Sequence, residues 1–396
     1  MLCEKFKLQN EFLEKYEADS LATYNENAYR FELSYILQKC EEATLCDDHR
    51  KMIIDYMNFA SQDVDILKFM WLYYYIQFET EECFMDNLYD QLLPIPLPAC
   101  CEDNYPGMLK TVVYLLASDH FKRFIQTNNL PENFIEKYYA KYRGTCASNI
   151  RYANTYGLCN LSQFVYTYAY PLNINIGRLT YQLLSFKDYC ELYEDEDGKR
   201  FFLALPNYTY DETGHQNVDA TFVPVYEKQG NILTAHTFDE LGLLVKEPAQ
   251  YDLTKIQKLL GPEDKVITIH IPGGTKLTPE SVDQSIAEAD AFFSKCFAKF
   301  HFKAIVCQTW FLDTQLREIL SDDSNMIKFQ KRFDLVMAGD NRLHSLFEHI
   351  FGVNKTELEN LVPKNSFQQK MLNRAKEGKK MYWAFGVLKD QVIYER

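Results

Sequence analysis

The hydrophobic rhythm of this chain changes once, near residues 143–150, and that change limits the possible folds more than any other feature. Before it, apolar residues recur at three- and four-residue steps. Over 63–85, Val64, Leu67, Trp71, Tyr75 and Phe78 form one stripe that Leu72 and Ile76 widen, the pattern of a helix with a broad buried face. Further helices are expected at 31–39, 50–59, 105–127 and 133–142, with breaks where Leu93-Pro94-Ile95-Pro96-Leu97-Pro98 and Asn128-Asn129-Leu130-Pro131-Glu132 cannot continue a helix.

After Gly144 the texture becomes mixed. One more helix is expected at 161–168, and then β-branched and aromatic residues replace the helical stripe over 176–186. The acidic turn Glu194-Asp195-Glu196-Asp197-Gly198-Lys199 leads into Arg200-Phe201-Phe202-Leu203, which reads as a hairpin around Asp-Gly. From residue 265 the chain alternates strand 265–271, helix 279–297, strand 303–309, helices 313–320 and 325–331, strand 333–337, helices through His349 and Met371, and a last strand 381–388. A hairpin followed by strand-helix-strand implies a mixed sheet with helices on its faces. The expected class is α+β, with an all-helical domain over 1–145 and a mixed-sheet domain over 146–396.

Charge narrows the partners. With 42 Lys and Arg against 56 Asp and Glu, the net charge is −14, a field that repels nucleic acid and anionic membranes. Neither is expected as a partner, and any anionic ligand needs a local basic or backbone site. The start of the chain has no basic region followed by a long apolar run, and the most apolar window, 69–76, is far shorter than the roughly 20 residues of a spanning helix. A cytoplasmic location is expected. The 11 cysteines include no C-x-x-C spacing, so reduced thiols are expected and no metal site. The signatures of P-loops, dinucleotide folds, nucleophile elbows and zinc proteases are absent, and His344 and His349 are wrongly spaced for a helical metal pair.

One segment concentrates unusual residue types. The strand ending Ile269-His270-Ile271 runs through Pro272-Gly273-Gly274-Thr275-Lys276 into a helix with Thr278 as cap and Pro279 in its first turn. Backbone N–H groups of Gly273, Gly274 and Thr275 near a helix N-terminus suit a phosphate group, and Lys276 adds charge. A simple tight turn between strand and helix is the alternative reading.

This segment, Gly177-Arg178-Leu179, Cys307-Gln308-Thr309-Trp310-Phe311-Leu312-Asp313 and the run Ser324 through Phe333 together resemble bacterial N-acyltransferases with a helical N-terminal domain and a GNAT-like C-terminal domain. The resemblance implies a strand that parts from its parallel neighbour to receive acetyl-CoA or another acyl-CoA as acyl donor. Ile269 and Ile271 would border the thioester arm, Gly273, Gly274, Thr275 and Lys276 would receive the pyrophosphate, and Asn325 would touch the cofactor. His270 is the expected base for a small-molecule or peptide amine acceptor held between the sheet and the helical domain. The chain departs from the family's pattern at Glu280 and Asp283, which add negative charge beside the phosphate position, and at Phe329, which stands where a Tyr proton donor is usual. Those departures leave a catalytically silent GNAT-like binding or interaction protein as the alternative, and a Cys307-dependent transferase as a third.

Overall fold

In the computed structural model, residues 2–80, 95–159, 174–187, 189–262, 264–273, 276–297, 301–337, 350–351 and 358–389 are described. The helical rhythm becomes α1 (Leu2–Lys5), α2 (Glu11–Asn27), α3 (Leu33–Glu42), α4 (Asp47–Ala60), α5 (Val64–Phe78), α6 (Ala99–Asn104), α7 (Met108–Thr127) and α8 (Phe134–Ala153). The widened stripe of α5 has a simple cause: ten of its fifteen residues are buried, so it is the central helix of this unit. Trp71 of α5 donates its indole N–H to the Ser20 carbonyl at 2.9 Å. Its ring stacks on Tyr74 at 5.3 Å. The Arg30 guanidinium lies over both rings and pairs with Asp119 at 3.2 Å.

The chain divides into Met1–Asn173 and Ile174–Arg396. The expected seam near 143–150 falls within α8, because Gly144 sits inside that helix with open space around it and a helical glycine costs only about 1 kcal/mol. The helix expected at 161–168 and those expected over 338–349 lie outside the described residues.

The second unit carries the mixed sheet. Its strands are β1 (Ile174–Ile176), β2 (Leu179–Ser185), β3 (Cys190–Asp195), β4 (Arg200–Ala204), β5 (Tyr226–Gln229), β6 (Ile232–Ala235), β7 (Ala249–Asp252), β8 (Ile256–Leu260), β9 (Lys265–His270), β10 (Ala304–Thr309), β11 (Phe333–Val336) and β12 (Ala384–Leu388), and its helices α9 (Pro279–Cys296), α10 (Asn325–Gln330) and α11 (Ser366–Lys376). Six strands pair in the order β1-β2-β9-β10-β12-β11. Every pairing in that sheet is antiparallel except β9 with β10, which α9 connects. This is the mixed sheet with flanking helices expected from the sequence.

The extended stretch expected at 176–186 is two strands, because Gly177 turns the chain with a φ of +56°. Ser285 of α9 pins this hairpin from below: its Oγ accepts from Leu179 N at 3.2 Å, shares a hydrogen bond with the Tyr181 hydroxyl at 2.9 Å and donates to the Ile176 carbonyl.

Residues 186–264 are an insertion holding two three-stranded sheets, β4-β3-β8 and β5-β6-β7. The Asp-Gly hairpin is present as β3 and β4. Glu191 ties both sheets together, accepting from Tyr193 at 2.8 Å, from Tyr226, and from Lys258 at 3.1 Å. Phe186, Leu192, Phe202 and Tyr210 of the insertion share one apolar core with Val266, Val306 and Phe385 of the large sheet, so the insertion covers one sheet face. On the opposite face, Tyr181 meets Phe293 of α9 at 6.1 Å.

Ser285→Ala strips a hydrogen-bond partner from two buried groups, the Leu179 N–H and the Tyr181 hydroxyl, and from the half-buried Ile176 carbonyl, and is expected to destabilise the protein by about 2–3 kcal/mol in urea unfolding. A loss under about 0.5 kcal/mol contradicts the pinning.

Candidate functional site

The parallel pair does not run its full length. β9 and β10 pair from Val266 with Ala304 to Ile269 with Cys307 and then part. Beyond that point β10 stays bonded to β12 as far as Thr309 with Ala384, and β9 to β2 as far as His270 with Thr180. The opening therefore belongs to these two strands alone. At its apex the Cys307 thiol donates to the Ile269 carbonyl at 3.4 Å. Cys307 is fully buried and burial pushes its thiol pKa up. A buried protonated thiol that already donates a hydrogen bond does not fit the role of nucleophile.

Past the opening, Ile269 is buried, Ile271 half-buried and Gly273 exposed, with open space where a Cβ would stand. Gly274 and Thr275 lie outside the described residues. The chain re-enters helix at α9 as expected, with Thr278 Oγ1 accepting from Ser281 N at 3.3 Å.

The charges beside this turn were only partly legible in the sequence. Arg178, in the turn between β1 and β2, donates from Nε to the Lys276 carbonyl at 3.1 Å, which brings a guanidinium to the segment between Gly273 and α9. Asp283, whose charge argued against an anion here, is paired with Arg332 Nη1; Nη2 of the same guanidinium reaches the Pro279 carbonyl at 3.4 Å. Among the described residues its buried Nε has no hydrogen-bond partner. Arg178 and Lys276 thus bring two cationic residues to this turn, while Arg332 cancels the charge of Asp283 beside it. The run 370–380 serves the fold instead: Arg374 pairs with Glu318 at 2.6 Å and Lys370 donates to the Ile319 carbonyl at 2.6 Å.

His270 is exposed at the end of β9 and donates from Nε2 to the Gln182 side-chain oxygen. Desolvation pulls its pKa below the ordinary histidine value, which favours the neutral ring; with Nε2 donating to Gln182, that form carries its lone pair on Nδ1. Register places His270, Thr268, Thr180, Gln182 and Gln308 on the face that the insertion covers. Gln308 donates to the Tyr189 hydroxyl at 3.1 Å, and Tyr189 packs on Tyr208 at 4.8 Å. Asn325 is half-buried as the first residue of α10, which Ser324 caps. Phe329 is buried against Phe333 at 5.1 Å.

One buried acid holds the open end of β10 to the start of β12. Asp313 follows β10 directly after a 3-10 turn, and its carboxylate accepts from Tyr382 N and Gln315 N at 2.8 and 2.9 Å. Those bonds replace the helix expected at 313–320 by a 3-10 turn over Thr314–Glu318. A separate groove of about 1070 Å³, lined in part by Lys199, Arg200, Tyr251, Phe333 and Lys389, follows β11 and not the opening.

Similarity to known proteins agrees with this architecture. The family model described as the GNAT-like C-terminal domain matches residues 174–388. No curated relative matches the sequence. Among solved structures, an acyltransferase in complex with decanoyl-CoA and teicoplanin is similar over 98% of both chains, at 15% identity and a TM-score of 0.54. A mutant acyltransferase in complex with octanoyl-CoA is similar over 98% of both chains at 14% identity, with a TM-score of 0.56. At such identities the likeness is one of fold.

Burial raises the Asp313 pKa to about 6 despite its two backbone donors. The folded state therefore binds this proton more tightly than the unfolded state does, so this group's contribution to stability rises as pH falls from 7 toward 4. Asp313→Asn is expected to remove that rise, read as the difference in Tm between pH 7 and pH 5. An unchanged difference contradicts the assignment.

Proposed function

Because the chain belongs to the family of the GNAT-like C-terminal domain, we propose that it is an acyl-CoA-dependent N-acyltransferase acting on an amine. The observation that carries this reading is the parting of β9 and β10 after Ile269 and Cys307, next to a helix N-terminus flanked by Arg178 and Lys276. Strand edges released from each other offer unpaired backbone groups to the amides of a pantetheine arm, and the cations suit the phosphates that follow it. Solved acyltransferases of similar fold were crystallised with CoA and acyl-CoA, which supports the same donor here.

In this reading the pantetheine arm runs along Ile269 and Ile271. The pyrophosphate meets the turn of Gly273, Gly274 and Thr275 together with Lys276 and Arg178, and Asn325 contacts the donor from α10. The acceptor nitrogen must be neutral to attack the thioester carbon. His270 takes the proton it loses, through Nδ1, while Gln182 fixes the tautomer. The polar wall formed by Thr180, Gln182, Gln308 and Tyr189 faces the acceptor, a small molecule or a peptide.

The buried Phe329 favours a second reading, a module that binds the donor without turning it over. Release of free CoA thiol in the presence of an amine separates the two.

Calorimetric titration with decanoyl-CoA is expected to show saturable binding, weakened about tenfold or more by Arg178→Ala through loss of a charged contact. No binding to any acyl-CoA contradicts the proposal. His270→Gln is expected to lower kcat about 10²-fold or more with donor affinity unchanged. Because the base works as the neutral ring, the acid limb of the pH–rate profile that does not move with the acceptor amine's own pKa should lie below the ordinary histidine pKa of about 6.5. Such a limb above that value contradicts the role of His270.

A further inference from the structure

The groove along β11 stands apart from the opening, because β12 lies between β11 and β10. Its walls join an open strand edge to a cluster of cations. We propose that it docks an acidic, extended segment of a partner protein, which adds to β11 as a further strand.

β11 is the last strand of the six-stranded sheet. Lys389 N donates to the Arg332 carbonyl at 2.9 Å, and pairs along an antiparallel ladder alternate between bonded and non-bonded. The register from Phe333 with Leu388 to Val336 with Phe385 therefore turns the backbone groups of Asp334 and Val336 toward β12 and those of Phe333 and Leu335 away from it. The insertion takes up this edge only at its far end, where Met337 N donates to the Gly242 carbonyl at 2.7 Å and Gln216 N to the Met337 carbonyl at 3.4 Å. Gly242 also stands against the Leu335 carbonyl, too close for a Cβ to fit. Among the described residues, the N–H and carbonyl of Phe333 and the N–H of Leu335 keep no backbone partner outside the ladder, and both residues line the groove. An edge of this kind takes up an extended chain through main-chain hydrogen bonds.

Charge selects which chain. Lys331 lies just before β11, Lys389 follows β12, and Lys199 and Arg200 stand at the start of β4, so these cations meet where β11 begins. Arg200 Nη1 fastens that end by donating to the Lys389 carbonyl at 2.9 Å. Arg200 and Lys331 pair with Glu194 at 3.4 Å and Asp322 at 2.9 Å. The exposed side chains of Lys199 and Lys389 have no carboxylate partner among the described residues. Asp195, Asp239, Glu240 and Asp334 also line the groove. Asp195 accepts from the N–H groups of Asp197 and Lys199, and Asp239 from those of Leu241 and Leu243, so both are engaged by their own turns. Glu240 lies beside Gly242, at the opposite end. The two lysines therefore offer uncommitted positive charge in a chain of net charge −14, which suits carboxylates flanking a strand. Phe201 and Tyr251, stacked at 5.2 Å, add an apolar wall for the strand's alternate side chains.

A blocked, fluorescein-labelled peptide of sequence Glu-Val-Thr-Val-Thr-Glu, with an acid at each end to serve either strand direction, probes the full-length chain by fluorescence anisotropy. Saturable binding is expected. Methylating the peptide's inner amide nitrogens should weaken it about tenfold or more, and so should replacing both Glu by Gln, about tenfold. The double variant Lys199→Glu with Lys389→Glu should lose about tenfold or more in peptide affinity while binding decanoyl-CoA as the wild type does. Hydrogen exchange with the peptide bound should slow over 332–336. Absence of saturable binding, or equal binding of the N-methylated peptide, overturns the inference. Displacement of the peptide by succinate would make the groove a small-anion site and overturns it as well.

Discussion

The C-terminal unit depends on a single parallel pairing in an otherwise antiparallel sheet. Parallel neighbours cannot be joined by a tight turn, so the chain must leave β9, cross the sheet face as a helix and return as β10. That crossover brings the N-terminus of α9, capped by Thr278, to the carboxyl end of β9. It also puts both strands at liberty to diverge, because each keeps an antiparallel neighbour on its other side. Divergence exposes backbone groups that need partners, and where the strands part the Cys307 thiol donates to the Ile269 carbonyl. The rest of that edge suits an extended amide-bearing ligand.

Electrostatics completes the argument. A chain of net charge −14 attracts an anionic donor only through a local inversion of sign. Arg178, from the β1–β2 turn, brings a positive charge to the segment before α9, and Arg332, just before β11, neutralises Asp283 there. The Arg332 pair with Asp283 also shows why an acidic first turn in α9 is compatible with an anion nearby. Residue type alone suggested repulsion; the three-dimensional pairing cancels it.

Much of this was legible from local pattern. The strand over β9, the capped start of α9 at Thr278 and Pro279, and the hairpin around Asp197-Gly198 each follow from short-range backbone chemistry. Long-range partners were not legible. The stretch at 176–186 read as one strand because Gly177 interrupts an otherwise continuous β-favouring run. The segment 313–320 read as helix because nothing nearby reveals that Asp313 would be claimed by Tyr382, far along the chain. In the site, His270 and the residues around Gly273 stood out by type. Gln182 and Arg332 did not, because their significance comes from register and ion pairing.

The central claim is that the opening between β9 and β10 receives the donor. Hydrogen–deuterium exchange on the full chain, with and without decanoyl-CoA, tests it at the backbone groups in question. Exchange is expected to slow in peptides spanning 268–273 and 306–310. Protection confined to the groove along β11, around Lys199, Arg200 and Lys389, with none at the opening, would contradict the account.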